Sequence, residues 1–407
     1  MSAIDTGNTA WVLVCCSLVL LMTPALAFFY GGMVRKKNIL STLTLSYIFM
    51  ALIGVQWVLY GYTLAFGPDI GGIIGSLAHV GLVGVGAAPN PNYGPTIPAE
   101  LFASFQMMFA VITPALITGA FVERVRFKSF LLFAIAWATL VYDPLCHWVW
   151  AKGGWLAQMG LLDFAGGTVV HVAAGFSALA FALVIGPRRG FARAPMEPHN
   201  IPYTVLGTGL LWVGWFGFNA GSALAANGVA VNALLTTNTS AASAALVWML
   251  LSWLDGRPST LGLATGMVVG LAAVTPASGY ITPLAALVLG AVAAPISYYA
   301  IRFRDKRQLD ESLDVWACHG MASTWGMLAA GLFATTAVND GGANGLFYGN
   351  PSQFAIQLWG TLVTMAYAFG VTYILAKLLD LSIGLRVNPN EEEVGLDISA
   401  HGERAYM

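Results

Sequence analysis

Long runs of apolar residues, broken by short polar stretches, make up most of the chain. Segments long enough to cross the roughly 30 Å hydrocarbon core of a bilayer fall near residues 10–33, 41–66, 98–121, 129–150, 165–186, 201–224, 231–254, 259–279, 282–301, 313–336 and 352–381. This pattern predicts an all-α polytopic membrane protein of eleven transmembrane helices, with a membrane domain at 1–381 and a soluble tail at 382–407. Ten spans and an eleventh divide into two five-helix repeats. An odd number per repeat inserts the second one inverted, which places a site near the bilayer midplane. Self-similarity between the halves is weak, but the fifth span carries His171 and the tenth carries His319, each near mid-membrane depth.

The basic residues test the count independently. With the N-terminus outside and the C-terminus inside, every one of the 18 lysines and arginines except Lys152 falls in an inner loop, at the inner end of the last span or in the tail. That is the positive-inside pattern, and a missed or invented span would scatter the charges to both sides. Ala25-Leu26-Ala27 has the look of a signal-peptidase site, but a signal peptide carries its basic residues before the apolar core. Here Asp5 precedes the run and Arg35, Lys36 and Lys37 follow it, which argues for a retained first span.

Composition agrees: 57% of residues are hydrophobic and 9% charged, where a soluble domain carries about a quarter charged. A net charge of −1 gives no reason to expect a nucleic-acid partner; the lipid bilayer is the expected one. Cys15, Cys16, Cys146 and Cys318 lie in or beside apolar runs without metal-type spacing and read as small buried hydrophobes. The outer loop at 67–97 is rich in Gly, Pro and Asn and has no basic residue.

His171 and His319 are the two histidines deepest within spans, and an ionisable residue inside the bilayer is a functional candidate by default. The alternative is a core histidine bonded to a backbone carbonyl. A metal site using Cys318 beside His319 lacks a third and fourth ligand, so no metal and no cofactor is expected. Asp314 is expected at the inner mouth as N-cap of the tenth span. Asp163, near the outer mouth, either caps the fifth span or orients a cation site. HWVW (147–150) and GWFGFNAGS (214–222) add aromatics to the outer ends of the fourth and sixth spans, and FQMMF (105–109) places two phenylalanines on one helix face in the third. An interfacial aromatic belt or ordinary packing accounts for each of these taken singly.

Taken together, FYGGMVRKKN (29–38), GAFVERVRF (119–127), DFAGGTVVH (163–171), GWFGFNAGS (214–222), VTPASGY (274–280), DVWACHG (314–320) and GLDISAHGERAY (395–406) resemble the Amt/Mep/Rh family of ammonium transporters, on the bacterial Amt side, in family order and over nearly the whole chain. The resemblance implies a homotrimer in the bacterial inner membrane, each subunit with its own narrow pore for ammonium or ammonia. By motif position, Trp150, Ser222, Phe109 and Asp163 resemble the outer recruitment site. Phe109 and Phe218 resemble the ring pair that closes the pore. His171 and His319 resemble twin histidines bonded edge to edge along the lumen, with Trp215 also lining it. The tail resembles a cytoplasmic regulatory element, and a P-II signalling protein is the implied partner. The outer loop and NPNEEEV (388–394) depart from the family pattern.

Four functions compete. Transport of ammonium is favoured. An ammonium sensor with little flux is the alternative, although such relatives usually carry a fused signalling domain. A Rhesus-type gas channel fits poorly with a cation-recruiting mouth, and an intramembrane hydrolase would need a nucleophile or metal constellation. No enzymatic activity is expected.

Overall fold

The computed structural model describes residues 4–406. Its long helices follow the apolar runs: α1 (Thr6–Met33), α2 (Lys36–Phe66), α3 (Ala99–Ala120), α4 (three joined segments, Phe127–Trp137, Ala138–Tyr142 and Asp143–Trp150), α5 (Gly167–Ile185), α6 (Ile201–Gly221), α7 (Gly228–Leu254), α8 (Thr260–Val274), α9 (Pro283–Lys306), α10 (Trp316–Met321 continuing into Ala322–Phe333) and α11 (Pro351–Ile383). Nine helical stretches among the described residues are long and apolar enough to cross a membrane; α8 and α10 are not among the nine. Short polar side chains start many of these helices. Asp5, Asn200, Asn227, Ser259 and Thr282 each accept a hydrogen bond from a backbone N–H of the first turn, satisfying donors that would otherwise be orphaned.

The loop at 67–97 is not wholly irregular. It holds two small antiparallel hairpins, β1 (Asp69–Ile70) with β2 (Ile74–Gly75) and β3 (Pro89–Asn90) with β4 (Gly94–Pro98). The all-α expectation therefore holds for the spans but not for this cap, where glycine, proline and asparagine favour turns and tight reversals.

Helices α1 and α6 pack together along their lengths, α5 packs on α10 and α11, and α7 packs on α8 and α9. Small residues make the closest approaches possible. A Cβ on Gly175 of α5 would land on the backbone of Gly320 in α10. Replacing Gly175 with leucine is expected to part these helices and lower the thermal midpoint of the purified protein by several degrees, since overpacking a close-packed contact costs about 1–3 kcal/mol. A variant melting with the wild type would contradict this.

The loops carrying most of the arginines converge on one face, here called the basic face. Arg188 pairs with Asp310 (2.8 Å) and Glu123 (3.3 Å), and Arg35 pairs with Glu123 (2.7 Å). Burial alone would push the Glu123 carboxyl up, but Arg188 and Arg35 outweigh it and hold the group below its usual value. The tail lies across this face as two short helices, α12 (Pro389–Val394) and α13 (Leu396–His401). Glu392 binds Arg386 (2.7 Å) and accepts from the Arg189 amide (2.5 Å), Asn38 accepts from the Leu396 amide (2.8 Å), and Asp397 accepts from the Ser41 amide near the start of α2 (2.8 Å).

Candidate functional site

Two of the three π-helical segments that lie within α4, α5 and α10 bear the paired histidines. Gly167–Val172 opens α5 and carries His171; Trp316–Met321 opens α10 and carries His319. A π segment shifts the register of the side chains that follow it and recurs at functional sites. Here the two rings meet with Nδ1···Nδ1 at 3.2 Å and planes 19° apart, an edge-to-edge contact of two buried imidazoles. One Nδ1 donates and the other accepts, so the two rings hold complementary tautomers. His171 Nε2 has no hydrogen-bond partner among the described residues. Trp215 lies parallel to His171 at 5.3 Å and is held there by its Nε1, which donates to Thr275 Oγ1 at 2.9 Å.

A small cavity of about 10 Å³ adjoins these rings and is walled by Met22, Leu26, Ile112, Leu116 and other apolar side chains. That is close to the room one water needs. Phe218, buried and 5.9 Å from His171, separates it from a larger space. Phe218 and Phe109 face one another at 4.3 Å, tilted by 36°, and Phe109 in turn meets Trp150 edge-on at 5.9 Å.

Beyond Phe109 opens a cavity of about 170 Å³ on the face opposite the basic one. Six aromatic rings line it: Phe66, Tyr93, Phe102, Phe109, Trp150 and Phe164. Its polar contributors are Asn92, Gln106 and Ser222. The Ser222 hydroxyl donates to the Phe218 carbonyl (2.8 Å), leaving its oxygen lone pairs to accept. Trp150 is oriented by its Nε1, which donates to the Asp163 carbonyl at 2.9 Å.

Asp163 itself does not line the cavity. Its carboxylate accepts from the amides of Gly166 (2.8 Å), Gly167 (2.6 Å) and Thr168 (2.7 Å), and from the Thr168 hydroxyl. It is therefore an N-terminal cap of α5, and the cap is made by a turn in which Gly166 sits at φ +113°, a conformation that favours glycine. The carboxylate remains behind the Trp150 indole, on the same residue whose carbonyl that indole binds.

The expected cap at Asp314 is overturned. Glu311 accepts from the amides of Val315 (3.0 Å) and Trp316 (3.2 Å), while Asp314, at φ +63°, turns away to pair with Arg304. The longer glutamate reaches the helix start from one turn back, whereas the left-handed backbone at Asp314 departs from the extended conformation of an N-cap and its carboxylate goes to Arg304. Burial pushes the Glu311 carboxyl up to about 7 against the pull of Arg304, and Asp314 adds to the push. Because this lies above the usual value of 4.5, protonated Glu311 contributes stability at low pH that is lost as pH rises through 7. Wild-type protein is expected to lose stability relative to Glu311→Gln between about pH 5 and 8, by up to about 3 kcal/mol. Parallel melting curves for the two proteins across that window would refute it.

All the sequence-derived candidates except the Asp163 carboxylate thus fall along one line: Trp150 and Ser222, then Phe109 and Phe218, then His171, Trp215 and His319. Two polar residues inside apolar runs escaped the sequence reading. Gln106 lies between the two phenylalanines of FQMMF and faces the larger cavity. Asp143, fully buried in α4, accepts from Gln56 Nε2 at 2.8 Å and lines neither cavity. The signal for both was plain, a lone amide and a lone acid in membrane-spanning runs.

Comparison with known proteins adds an independent line. Residues 10–406 match the Ammonium Transporter Family. The chain is 50% identical to ammonium transporter Amt1 of Archaeoglobus fulgidus over 98% of this chain and 99% of that one. Among solved structures it is similar to Candida albicans Mep2 (TM-score 0.91, 36% identity, covering 99% and 91%) and to a protein described as a sensor Amt protein (TM-score 0.88, 28% identity, covering 97% and 98%).

Proposed function

The chain belongs to the ammonium transporter family, and we propose that it recruits ammonium ion at the aromatic cavity, lets it release its proton near Phe109 and Phe218, either back to the outer water or onward through the imidazoles, and conducts ammonia past His171 and His319. It is a multi-pass membrane protein. The observation that carries the mechanism is the change of wall along the line of site residues. The outer cavity offers π faces and acceptors, and the space behind the ring pair offers only apolar walls and imidazoles.

A cation against the Trp150 indole gains about 0.5–2 kcal/mol, and Ser222 can accept one N–H. Asp163 adds negative potential from behind. These gains are far below the tens of kcal/mol that full dehydration of an ion costs. The ion is held at the mouth and the neutral base is the species that enters the apolar section. Edge-to-edge imidazoles accept and donate hydrogen bonds there and can pass a proton separately.

The same reading takes all eleven helices as spans, with the basic face inside and the aromatic cavity outside. Two inverted repeats are supported by the packing of α1 on α6 and of α5 on α10, which are equivalent helices under a five-helix repeat. A homotrimer, and a P-II protein docking over the tail and the basic loops, complete the proposal. The exposed apolar residues along the helices, such as Leu254 and Leu381, fit lipid or neighbouring subunits.

The test is current from purified protein in liposomes on solid-supported membranes after an ammonium pulse. A transient current that scales with ammonium supports electrogenic transport. Internal alkalinisation without current means passive ammonia conduction. Neither signal from well-folded protein would favour the sensor reading, which the similarity to a sensor Amt protein keeps in view.

A further inference from the structure

We propose that Gln106 is a second hydrogen-bond acceptor for the ammonium ion in the outer cavity, which it lines together with Trp150 and Ser222. This rests on the recruitment role assigned to that cavity.

Most of the other polar groups in the cavity are already committed. Trp150 Nε1 is bound to the Asp163 carbonyl at 2.9 Å. The Ser222 hydroxyl proton goes to the Phe218 carbonyl at 2.8 Å. The Asn92 side-chain oxygen accepts from Lys152 Nζ at 2.9 Å. Gln106 is different: its Oε1 is buried with no partner among the described residues, and its amide makes no side-chain hydrogen bond there. A buried, unbonded amide oxygen is costly and calls for an explanation. A glutamine on an apolar helix is costly in its own right, since leucine or methionine would fill the same volume.

Position supplies the rest. Gln106 stands on α3 three residues before Phe109, so the two share a helix face. It lines the same cavity as Trp150 and Ser222. With neither end of its amide committed, the side chain is free to turn its oxygen toward a cation. An ammonium ion with four N–H groups can then give one to Ser222 and one to Gln106 while resting on the indole. The site thereby replaces part of the hydration shell with directional acceptors, which suits an ion that carries donors.

The experiment measures ammonium-evoked current in liposomes for wild type, Gln106→Met, Gln106→Leu and Gln106→Glu. Removing an acceptor from a charged donor is expected to raise the half-saturating ammonium concentration about tenfold or more in both apolar variants, with maximal current within about twofold of wild type. Gln106→Glu retains an acceptor oxygen and is expected to stay at or below the wild-type half-saturation. Unchanged half-saturation in Gln106→Met overturns the proposal, as does an equal shift in the Met and Glu variants, which would mark a packing effect. If wild type responds and only the Gln106 prediction fails, the recruitment reading stands. If Trp150→Leu also leaves half-saturation unchanged, the recruitment reading fails and takes this proposal with it. Should Gln106→Leu fail to fold, the unbranched Met variant still decides.

Discussion

Replacing His171 with alanine is expected to cut the ammonium-evoked current by tenfold or more while leaving the protein folded. The substitution removes the partner of His319 Nδ1 (3.2 Å) and the one ring that stands between Phe218 and the second imidazole. The lumen at this depth has only apolar walls besides these rings and Trp215, so no other side chain can take over the hydrogen bonding or pass a proton. Two readouts separate the possible roles. Loss of current with internal alkalinisation retained would mean that the histidines carry the proton and that ammonia passes without them. Loss of both would mean that they also bind the neutral species. Wild-type current in the variant would remove the histidine pair from the mechanism altogether.

The second large effect is expected at Asp163, for a different reason. Asp163→Ala deletes an acceptor for three backbone amides and one hydroxyl, all buried. Each buried donor left without a partner costs about 1–3 kcal/mol, so the loss is expected to total several kcal/mol and to show as poor recovery of folded protein in detergent. Asp163→Asn retains one acceptor oxygen and should fold better. It loses the charge behind Trp150, and the turn that presents the Asp163 carbonyl to the indole is weakened. Its half-saturating ammonium concentration is expected to rise at least tenfold. A folded Asp163→Asn with wild-type half-saturation would show that the charge has no part in recruitment, leaving Asp163 as a helix cap alone.

These two sites differ in how far they could be seen in advance. His171 and His319 stood out because an imidazole deep in an apolar run is conspicuous in one dimension. Asp163 was equally conspicuous, but its two possible jobs could not be separated until the Gly166 turn placed three amides around the carboxylate. Glu311 was invisible as a cap. The loop between α9 and α10 contains several acids, and only the path of the chain through Gln308 and Asp314, both at positive φ, decides which one reaches the start of α10. Gln106 and Asp143 show a third kind of failure. A lone polar residue in a span can face a lumen, a neighbouring helix or nothing, and periodicity does not say which when the whole helix is apolar.

Membrane residence and the approximate extent of most helices were set by the sequence alone, because a run of some twenty apolar residues has few alternatives in water and a short polar cap starts it. Family resemblance was legible for the same kind of reason, as contiguous motifs need no folding to be read. Tertiary structure decided what those motifs do to one another. The Nδ1···Nδ1 contact joins residues 148 positions apart, through two π segments whose register shift no hydropathy pattern encodes. The cavity gathers rings from the loop at 67–97, from α2, α3 and α4 and from the segment before α5 onto one side of Phe109. Distances of a few ångströms between elements far apart in the chain depend on packing, and packing is fixed by all the helices at once.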